Sequence, residues 1–544
     1  MFYKTCPAHK WDGNLYKNTI KLNPVTTLYT HCMKNIIALI SAFFLLVGIV
    51  HAQDSLYVYK AGAVVYKAGI STIDSIGFTN MKYVQAQDTM YIYRVGTVLY
   101  KSGIGTIDSI TFTSPKLTTS TPLTYIFDIN ALPQVTLEIS TAEWNKLLSY
   151  YDQNPNNEEY IISDFSFLKN GTVISLPSSG MRLRGNTSRR RPEGSTGQVH
   201  ATTNTPWHHA SFSVNFKKNV KGQKLVGEEK VNLKWFKDDA TYVREVYCYD
   251  LFERYGVWTA PQSSYCRLSI KIKEDPTTTY YGVYQLVEPV DEQYLQNRPS
   301  KFADSKGNLW KANYGADFIS TDTTRMDLEN VTLTQTYTPV YDLKTNDTKL
   351  SAARVQLADF IRNLNTRTGD DFKTWISAKM DVQLFLKTYA VNVICGMWDD
   401  YWCNKNNFYF YFDSTGKFYF IPFDYDNTLG TSAIINNSGT QDLLNWGNSN
   451  YPLVKKIIAI PEFKALYISY IKELCNSSND YFHVSKSTPR ITNWQKMISP
   501  YVNNDTKEDT QLLDKPASWG NCSFYRLFGN TNNYFTIRAG NIPN

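Results

Sequence analysis

The chain has 544 residues, too many for one small core, so its length predicts a main domain with accessory pieces. Hydrophobic residues make up 42% and charged residues 19%, an ordinary globular balance. The formal charge is +7, but five Lys and one Asp fall in residues 1–52, and without them it is +3; so mild a charge gives no argument for nucleic acid or a membrane surface as partner.

Taken in order, the first readable segment is Met33-Lys34-Asn35, an apolar run from Ile36 to Val50, then His51-Ala52-Gln53. A basic start, an apolar core too short to span a bilayer comfortably and a small residue at the end predict a secretory signal peptide, Met33–Ala52. Residues 1–32 carry no export or folding pattern, so Met33 is the expected start and the mature chain is expected in the periplasm, at the cell surface or outside. No later segment is apolar enough to span a membrane. Beyond the cut lie Cys248, Cys266, Cys395, Cys403, Cys475 and Cys522. Their spacing fits no zinc pattern, and it allows either one or two disulfides or buried free thiols.

Residues 54–113 contain a repeat. Asp54–Gly62 is echoed by Asp88–Gly96, Val65–Ile70 by Leu99–Ile104, and Thr72–Phe78 by Thr106–Phe112, all at a period of 34 residues. Each unit alternates apolar and polar residues with Gly at turns, which predicts two or three short strands. With no catalytic cluster, this is a spacer or attachment module. Residues 114–124 read as a linker, Ser114–Pro122 being rich in Ser, Thr and Pro.

The large domain, 125–544, opens with a strand at Leu132–Ser140 and a helix capped at Thr141. An Arg-bearing strand ends in the turn Gly185–Ser188, whose amides, with Arg184 behind them, suit phosphate oxygens. Val243, Val246, Tyr247 and Leu251 have helical spacing, with Gly256 as stop signal. Cys266–Ile272 and Tyr281–Val287 read as a hairpin ending at Glu288, and Lys311 lies on another short strand. A strand-borne Lys paired to an acid aligns phosphates in nucleotide sites. Helices are expected at Leu350–Leu364, Thr374–Ile394, Leu453–Ile460 and Pro461–Cys475, then a loop-rich tail. Strands first and helices after predict an α+β plan in two lobes.

The chemistry concentrates in Gly396–Gly430. Aromatic runs flank a turn at Asp413–Lys417 and predict a hairpin. Asp399, Asp400, Asn404, Asn406 and Asn407 precede it; Asp424 and Asp426 follow it. Folding the hairpin brings these together, and such oxygen ligands suit a hard cation such as Mg²⁺. A further carboxylate there is placed to deprotonate a hydroxyl. The 39 Tyr and 12 Trp fit sheet faces and sugar-stacking surfaces alike.

These motifs together resemble the CotH kinase family, secreted or spore-coat proteins with an atypical protein-kinase-like fold. The resemblance rests on Met181–Ser188, Asp238–Arg244, Tyr281–Glu288, Leu309–Lys311, the Trp398–Tyr411 stretch and Ile421–Asp426. It implies a β-rich N-lobe, a helical C-lobe with an inserted hairpin, and transfer of phosphate from ATP, with Mg²⁺ or Mn²⁺, to Ser or Thr of secreted or surface proteins. It also implies a catalytic Asp at Asp399 or Asp400, a metal-binding Asn at Asn404 or Asn407, and metal-binding Asp424 with Asp426. Arg184, Asn186, Lys311 and Glu288 would face the nucleotide. Where the family's strand after the Arg-Gly-Asn turn often carries a Lys, this chain has His208-His209-Ala210-Ser211. The repeats resemble those following signal peptides in secreted proteins of Bacteroidetes-type bacteria. The competing expectations are a non-catalytic, surface-displayed glycan- or protein-binding module on the same fold, and a metal-dependent phosphohydrolase using the same carboxylates.

Overall fold

The computed structural model describes residues 19–21, 55–60, 63–69, 75–79, 89–94, 97–103, 109–113, 122–202, 206–431, 438–447, 451–513 and 533–542. The expected signal peptide, Cys522 and residues 114–121 of the expected linker lie outside them. The chain divides into two compact units, residues 1–121 and 122–544. Among the described residues no helix is long and apolar enough to cross a membrane.

In the first unit each repeat supplies three strands. They are β2 (Ser55–Lys60), β3 (Ala63–Gly69) and β4 (Ser75–Thr79) from the first, and β5 (Thr89–Arg94), β6 (Thr97–Gly103) and β7 (Ser109–Thr113) from the second. A three-residue strand, β1 (Thr19–Lys21), joins them from a segment expected to carry no folding pattern. One sheet runs β1-β7-β2-β3 and the other β4-β5-β6. Leu56, Val58 and Ile92 are fully buried, as the alternation requires.

The second unit starts with α1 (Pro122–Ile126), which overlaps the last three residues of the stretch expected to be linker. Seven strands then close into a barrel: β8 (Gln134–Ile139), β9 (Ile161–Lys169), β10 (Thr172–Arg184), β11 (Ser211–Asn215), β12 (Lys230–Lys234), β13 (Ser263–Ile272) and β14 (Thr279–Val287), in the order β10-β11-β12-β14-β13-β8-β9. Closure leaves no free sheet edge. Val135, Leu137 and Ile139 alternate inward on β8 and pack with Phe165 and Phe167 of β9. Between these strands, α2 (Thr141–Gln153) begins one residue earlier than the sequence implied: Ser140 is its cap, with Oγ accepting from Glu143 N at 3.3 Å.

Helix α3 (Arg244–Arg254) follows β12. Its first turn is fixed by Asp239, whose carboxylate accepts from Thr241 N, Val243 N and Arg244 N at 3.0–3.1 Å and pairs with the Arg244 guanidinium. After the short helix α4 (Glu292–Gln296), a second sheet forms from β15 (Asn308–Ala312), β16 (Met326–Asp327), β19 (Tyr341–Leu343), β20 (Phe408–Phe412) and β21 (Phe418–Pro422), ordered β16-β19-β15-β20-β21. A separate hairpin, β17 (Asn330–Val331) with β18 (Thr336–Tyr337), lies between its strands in sequence.

The aromatic hairpin is β20–β21, with Phe408 opposite Pro422 and Phe412 opposite Phe418. Side chains alternate along a strand, so Phe408, Phe410 and Phe412 enter the large helical core while Tyr409 and Tyr411 enter a second apolar cluster on the other face. Each fully buried ring contributes roughly 1.5–3 kcal/mol, which makes this ribbon a rigid base for the residues at its ends.

The helices α5 (Leu350–Thr366), α6 (Gly369–Lys379), α7 (Val382–Cys395), α8 (Pro452–Ile458) and α9 (Pro461–Cys475) build that core. The sequence implied one helix over Thr374–Ile394; the structure breaks it. Met380 is extended (φ −146°, ψ 162°) and bridges to Phe418, and the Asp381 carboxylate accepts from Leu384 N at 3.0 Å to start α7. The tail, expected to be loop-rich, holds α10 (Val484–Ile498) and α11 (Tyr534–Ala539). Among the described residues Cys248, Cys266, Cys395, Cys403 and Cys475 are free thiols. These findings establish a mixed α+β architecture built on a closed seven-stranded barrel.

Candidate functional site

Lys234, the last residue of β12, is the centre of the acidic site. Its ammonium lies 2.6 Å from Glu245 Oε2, 3.0 Å from Asp426 Oδ2 and in contact with Asp424 Oδ1. Glu245 is in the first turn of α3, which the Asp239 cap orients; Asp424 and Asp426 follow β21. Two further bonds lock the acidic segment to α3: Tyr425 N donates to Glu245 Oε1 at 3.2 Å, and Asp424 N to the Tyr249 hydroxyl at 3.0 Å. Asp424 has a left-handed backbone (φ 64°), as has Asn407 (φ 52°) at the other strand's entrance. Non-glycine residues hold that conformation only where their surroundings impose it, which is common at functional sites.

Burial works against every charge here. It drives Asp426 up to about 8 despite Lys234, and it raises Glu245. Burial also opposes ionisation of Asp424, but Lys234, helped by Arg184 and Lys311, holds that carboxyl below its ordinary value. The Lys234 ammonium resists its own desolvation because Asp424, Asp426 and Glu245 raise it well above the usual lysine range. One cation thus serves three acids, and Asp426 Oδ1 is buried with no hydrogen-bond partner among the described residues.

Behind this group Asp399 accepts from Asn404 Nδ2 at 2.5 Å, Asn407 Nδ2 at 3.1 Å and Asn427 Nδ2 at 3.4 Å. Burial, with the Asp424 charge in support, pushes it up to about 6, although Asn404, Asn406 and Asn407 stabilise the ionised form.

Asp424 and Asn407 open onto a cleft of about 570 Å³, which Arg184, Asn186 and Lys311 also line. Its walls carry Arg182, Arg189, Lys230 and Lys344 as well. Arg182 and Arg189 are neutralised by Glu158 at 2.7 and 3.1 Å, Lys230 by Asp291 and Lys344 by Glu329, both at 2.8 Å or less. Arg184 and Lys311 have no ion-pair partner among the described residues. Burial, assisted by Lys344, lowers Lys311 below its ordinary value, so an incoming anion would relieve it. The turn beyond Arg184 needs a glycine: Gly185 sits at φ 114°, and a Cβ there would lie 2.6 Å from Ser188 Oγ.

Residues 181–534, which contain every one of these groups but Glu158, match the family described as CotH kinase protein. The chain belongs to the CotH kinase protein family. No individually curated protein matches it. Membership in the CotH family makes this a kinase-like protein, and the match runs from the end of β10 through the barrel's later strands and helices α3 to α10.

The geometry sorts the residues singled out from the sequence. Arg184, Asn186, Lys311, Asn407 and Asp424 share the cleft, Asp426 adjoins Asp424 through Lys234, and Asp399 and Asn404 stand one layer behind Asn407. Asp400 is buried in the turn, where its Oδ1 accepts from Trp402 N at 3.1 Å and burial drives its pKa well up. Glu288 does not reach the cleft. It is sealed against Arg298 by two bonds of 2.8 Å and accepts from Gln262 N at 3.0 Å. The strand-borne lysine with an acid partner is therefore Lys234 with Glu245, not Lys311 with Glu288. The signal in the sequence was Lys234 closing a strand eleven residues before an acid in a helix's first turn.

Proposed function

We propose that this CotH-family chain is an exported protein kinase that moves the γ-phosphoryl group of ATP, with Mg²⁺ or Mn²⁺, to Ser or Thr of secreted or surface proteins. The observation that carries this reading is one cleft in which two unpaired cations, Arg184 and Lys311, meet Asp424 and Asn407, with Asp399 directly behind. In it the barrel takes the part of the nucleotide-covering lobe, and the aromatic hairpin with its helices that of the catalytic lobe.

The residues fit a divalent cation. Oxygens of Glu245, Asp424 and Asp426 lie within 4.8 Å of one another, they are the hard donors Mg²⁺ and Mn²⁺ select, and the orphaned Asp426 Oδ1 lacks the partner a cation would supply. Asp424, Asp426 and Asn407 would hold it, with Asn404 as the alternative amide. When bound, a divalent ion neutralises charge on the phosphate oxygens. The remaining work falls to side chains. Arg184 and Lys311 bind phosphate oxygens, and the turn at Gly185 and Asn186 offers its backbone amides. Asp399, ionised at neutral pH with a pKa of about 6, accepts the proton of the acceptor hydroxyl as its oxygen bonds to phosphorus and the bond to ADP breaks. Lys234 keeps Glu245 as its partner. Asp400, folded into the turn, has a structural part only.

The glycan-binding alternative gains little from the aromatic residues, because the Phe and Tyr of β20 and β21 are buried on both faces. Incubating the purified chain with γ-labelled ATP, Mn²⁺ or Mg²⁺ and casein tests the kinase reading. Label on protein that disappears in Asp424→Asn and Asp399→Asn supports it; free phosphate without labelled protein would instead make it a phosphohydrolase. Export is supported by the segment Met33–Ala52, and N-terminal sequencing of the mature protein from the producing cell should begin at Gln53.

A further inference from the structure

The N-terminal unit has a property that no phosphate chemistry accounts for: its two repeats do not fold side by side but exchange strands. Each repeat makes its own hairpin, β2–β3 and β5–β6, with Ser55 opposite Gly69 and Thr89 opposite Gly103. Each hairpin has a register shift at the same place, Val58/Tyr59 in one and Ile92/Tyr93 in the other. The third strand of each repeat then leaves its own hairpin. β4 of the first pairs with β5 of the second, and β7 of the second pairs with β2 of the first.

The two exchange ladders are copies of each other. Ser55 faces Thr113 in one and Thr89 faces Thr79 in the other; Tyr59 faces Ser109 and Tyr93 faces Ser75. Moving one residue forward and its partner back by the 34-residue period converts each pair into the other. That is the signature of a two-fold axis between the repeats. Equivalent side chains meet across it: Tyr66 and Tyr100, which occupy the same place in the two units, lie with ring centroids 4.7 Å apart and planes tilted by 32°. Val58 and Ile92, also equivalent, are both fully buried. Among the described residues β1, which pairs along the outer side of β7, has no counterpart.

We propose that the repeat is a self-recognition element whose partner is a second copy of the same repeat, and that this chain carries two copies so that each completes the other. A two-stranded hairpin alone is marginal in water, and one repeat by itself offers only that hairpin and a third strand that pairs elsewhere. A repeat deprived of its mate takes the mate from another chain. In the intact chain the partner of each repeat is therefore the other repeat.

The test uses the whole protein with residues 54–87 removed, with 88–121 removed, or with 54–121 removed, measured by light scattering at equal concentration. Each one-repeat chain is expected to show twice the molar mass of a single chain when the intact protein and the chain without repeats do not. Tyr100→Asp in the chain lacking 54–87 should abolish the doubling, and mixing the two one-repeat chains, one of them tagged, should recover both on the tag. One-repeat chains that keep the molar mass of a single one-repeat chain, folded or not, overturn the proposal. So does doubling that persists when both repeats are gone.

Discussion

Glu288 with Arg298, and Lys234 with Glu245, Asp424 and Asp426, are two buried knots of charge made from the same kinds of side chain. In the first every valence is used. Arg298 Nε and both its terminal nitrogens donate to Glu288, Trp258 O, Ala260 O and Tyr294 O, and both Glu288 oxygens accept, so the five guanidinium N–H groups are all satisfied. In the second, one ammonium is shared among three carboxylates, one oxygen has no partner, and Asp424 opens onto a cleft. Closed charge fixes the fold; open charge waits for a ligand. The sequence put Glu288 among the residues facing the nucleotide; its place outside the cleft and the saturation of its hydrogen bonds remove it.

The comparison breaks most sharply at Asp424. Asp424→Asn should cut phosphate transfer by roughly 10²–10³-fold or more, the scale of losing one preorganised electrostatic contact. Because burial is outweighed by Lys234, which holds the Asp424 carboxyl below its ordinary value, its charge stabilises the fold at neutral pH. The urea midpoint should therefore fall modestly, and the rate is compared per folded molecule, where the loss is by far the larger effect. A variant within tenfold of the parent rate would place the chemistry elsewhere. Glu288→Gln should do the opposite. Stranding the Arg298 charge costs about 3–5 kcal/mol of stability, read as a lower urea midpoint, while the rate per folded molecule stays the same. A smaller linked effect is expected from the cation itself: Mn²⁺ at one hundred times its dissociation constant should add about 2.7 kcal/mol to stability. That increment should be missing in Asp426→Asn, and an equal increment in both chains would remove Asp426 from the metal-binding set.

Much of the frame was legible in the sequence, for identifiable reasons. The run Phe408–Phe412, a turn and Phe418–Pro422 declare a hairpin, and once it folds Asn407 and Asp424 must approach. Lys234 was passed over because Lys230-Val231-Asn232-Leu233-Lys234 alternates strictly, which reads as a strand with one solvated polar face, whereas its last four residues are all buried; period-two reading cannot tell a strand lysine that points into a site from one that points into solvent. The break at Met380-Asp381 was hidden by apolar spacing that runs through it, the only punctuation being one carboxylate cap. Helix α10 carries Pro489 inside it, a residue that argues against helix in any local reading and is overridden here by burial of Ile491, Trp494 and Ile498. The left-handed backbone at Asn407 and Asp424 is compatible with their residue types, since Asn and Asp tolerate it better than other non-glycine residues, but which of the chain's many Asn and Asp adopt it is set by what surrounds them.

The finest distinction between open and closed charge is a pH dependence. Asp399 ionises at about 6 in the folded chain and at the ordinary 3.8 when unfolded. A carboxyl raised in this way binds its proton more tightly in the native state, so its stabilising contribution is complete below 3.8 and is lost as the pH rises through 6. Above that, the ionised Asp399 is a burden on the fold, carried for the sake of a base that is ready at neutral pH. In Asp399→Asn the burden is absent. The difference in stability between the two chains should therefore shift toward the variant between pH 4 and 7 and then level off. Loss of an acceptor for Asn404 and Asn407 shifts the whole curve by a constant and cannot imitate that slope. Over the same interval kcat/KM of the parent should climb along a limb centred near 6, while the variant shows no such limb. A stability difference that is flat from pH 4 to 8 would mean that Asp399 is as thoroughly satisfied as Glu288, and that its three amides hold a structural turn rather than a base.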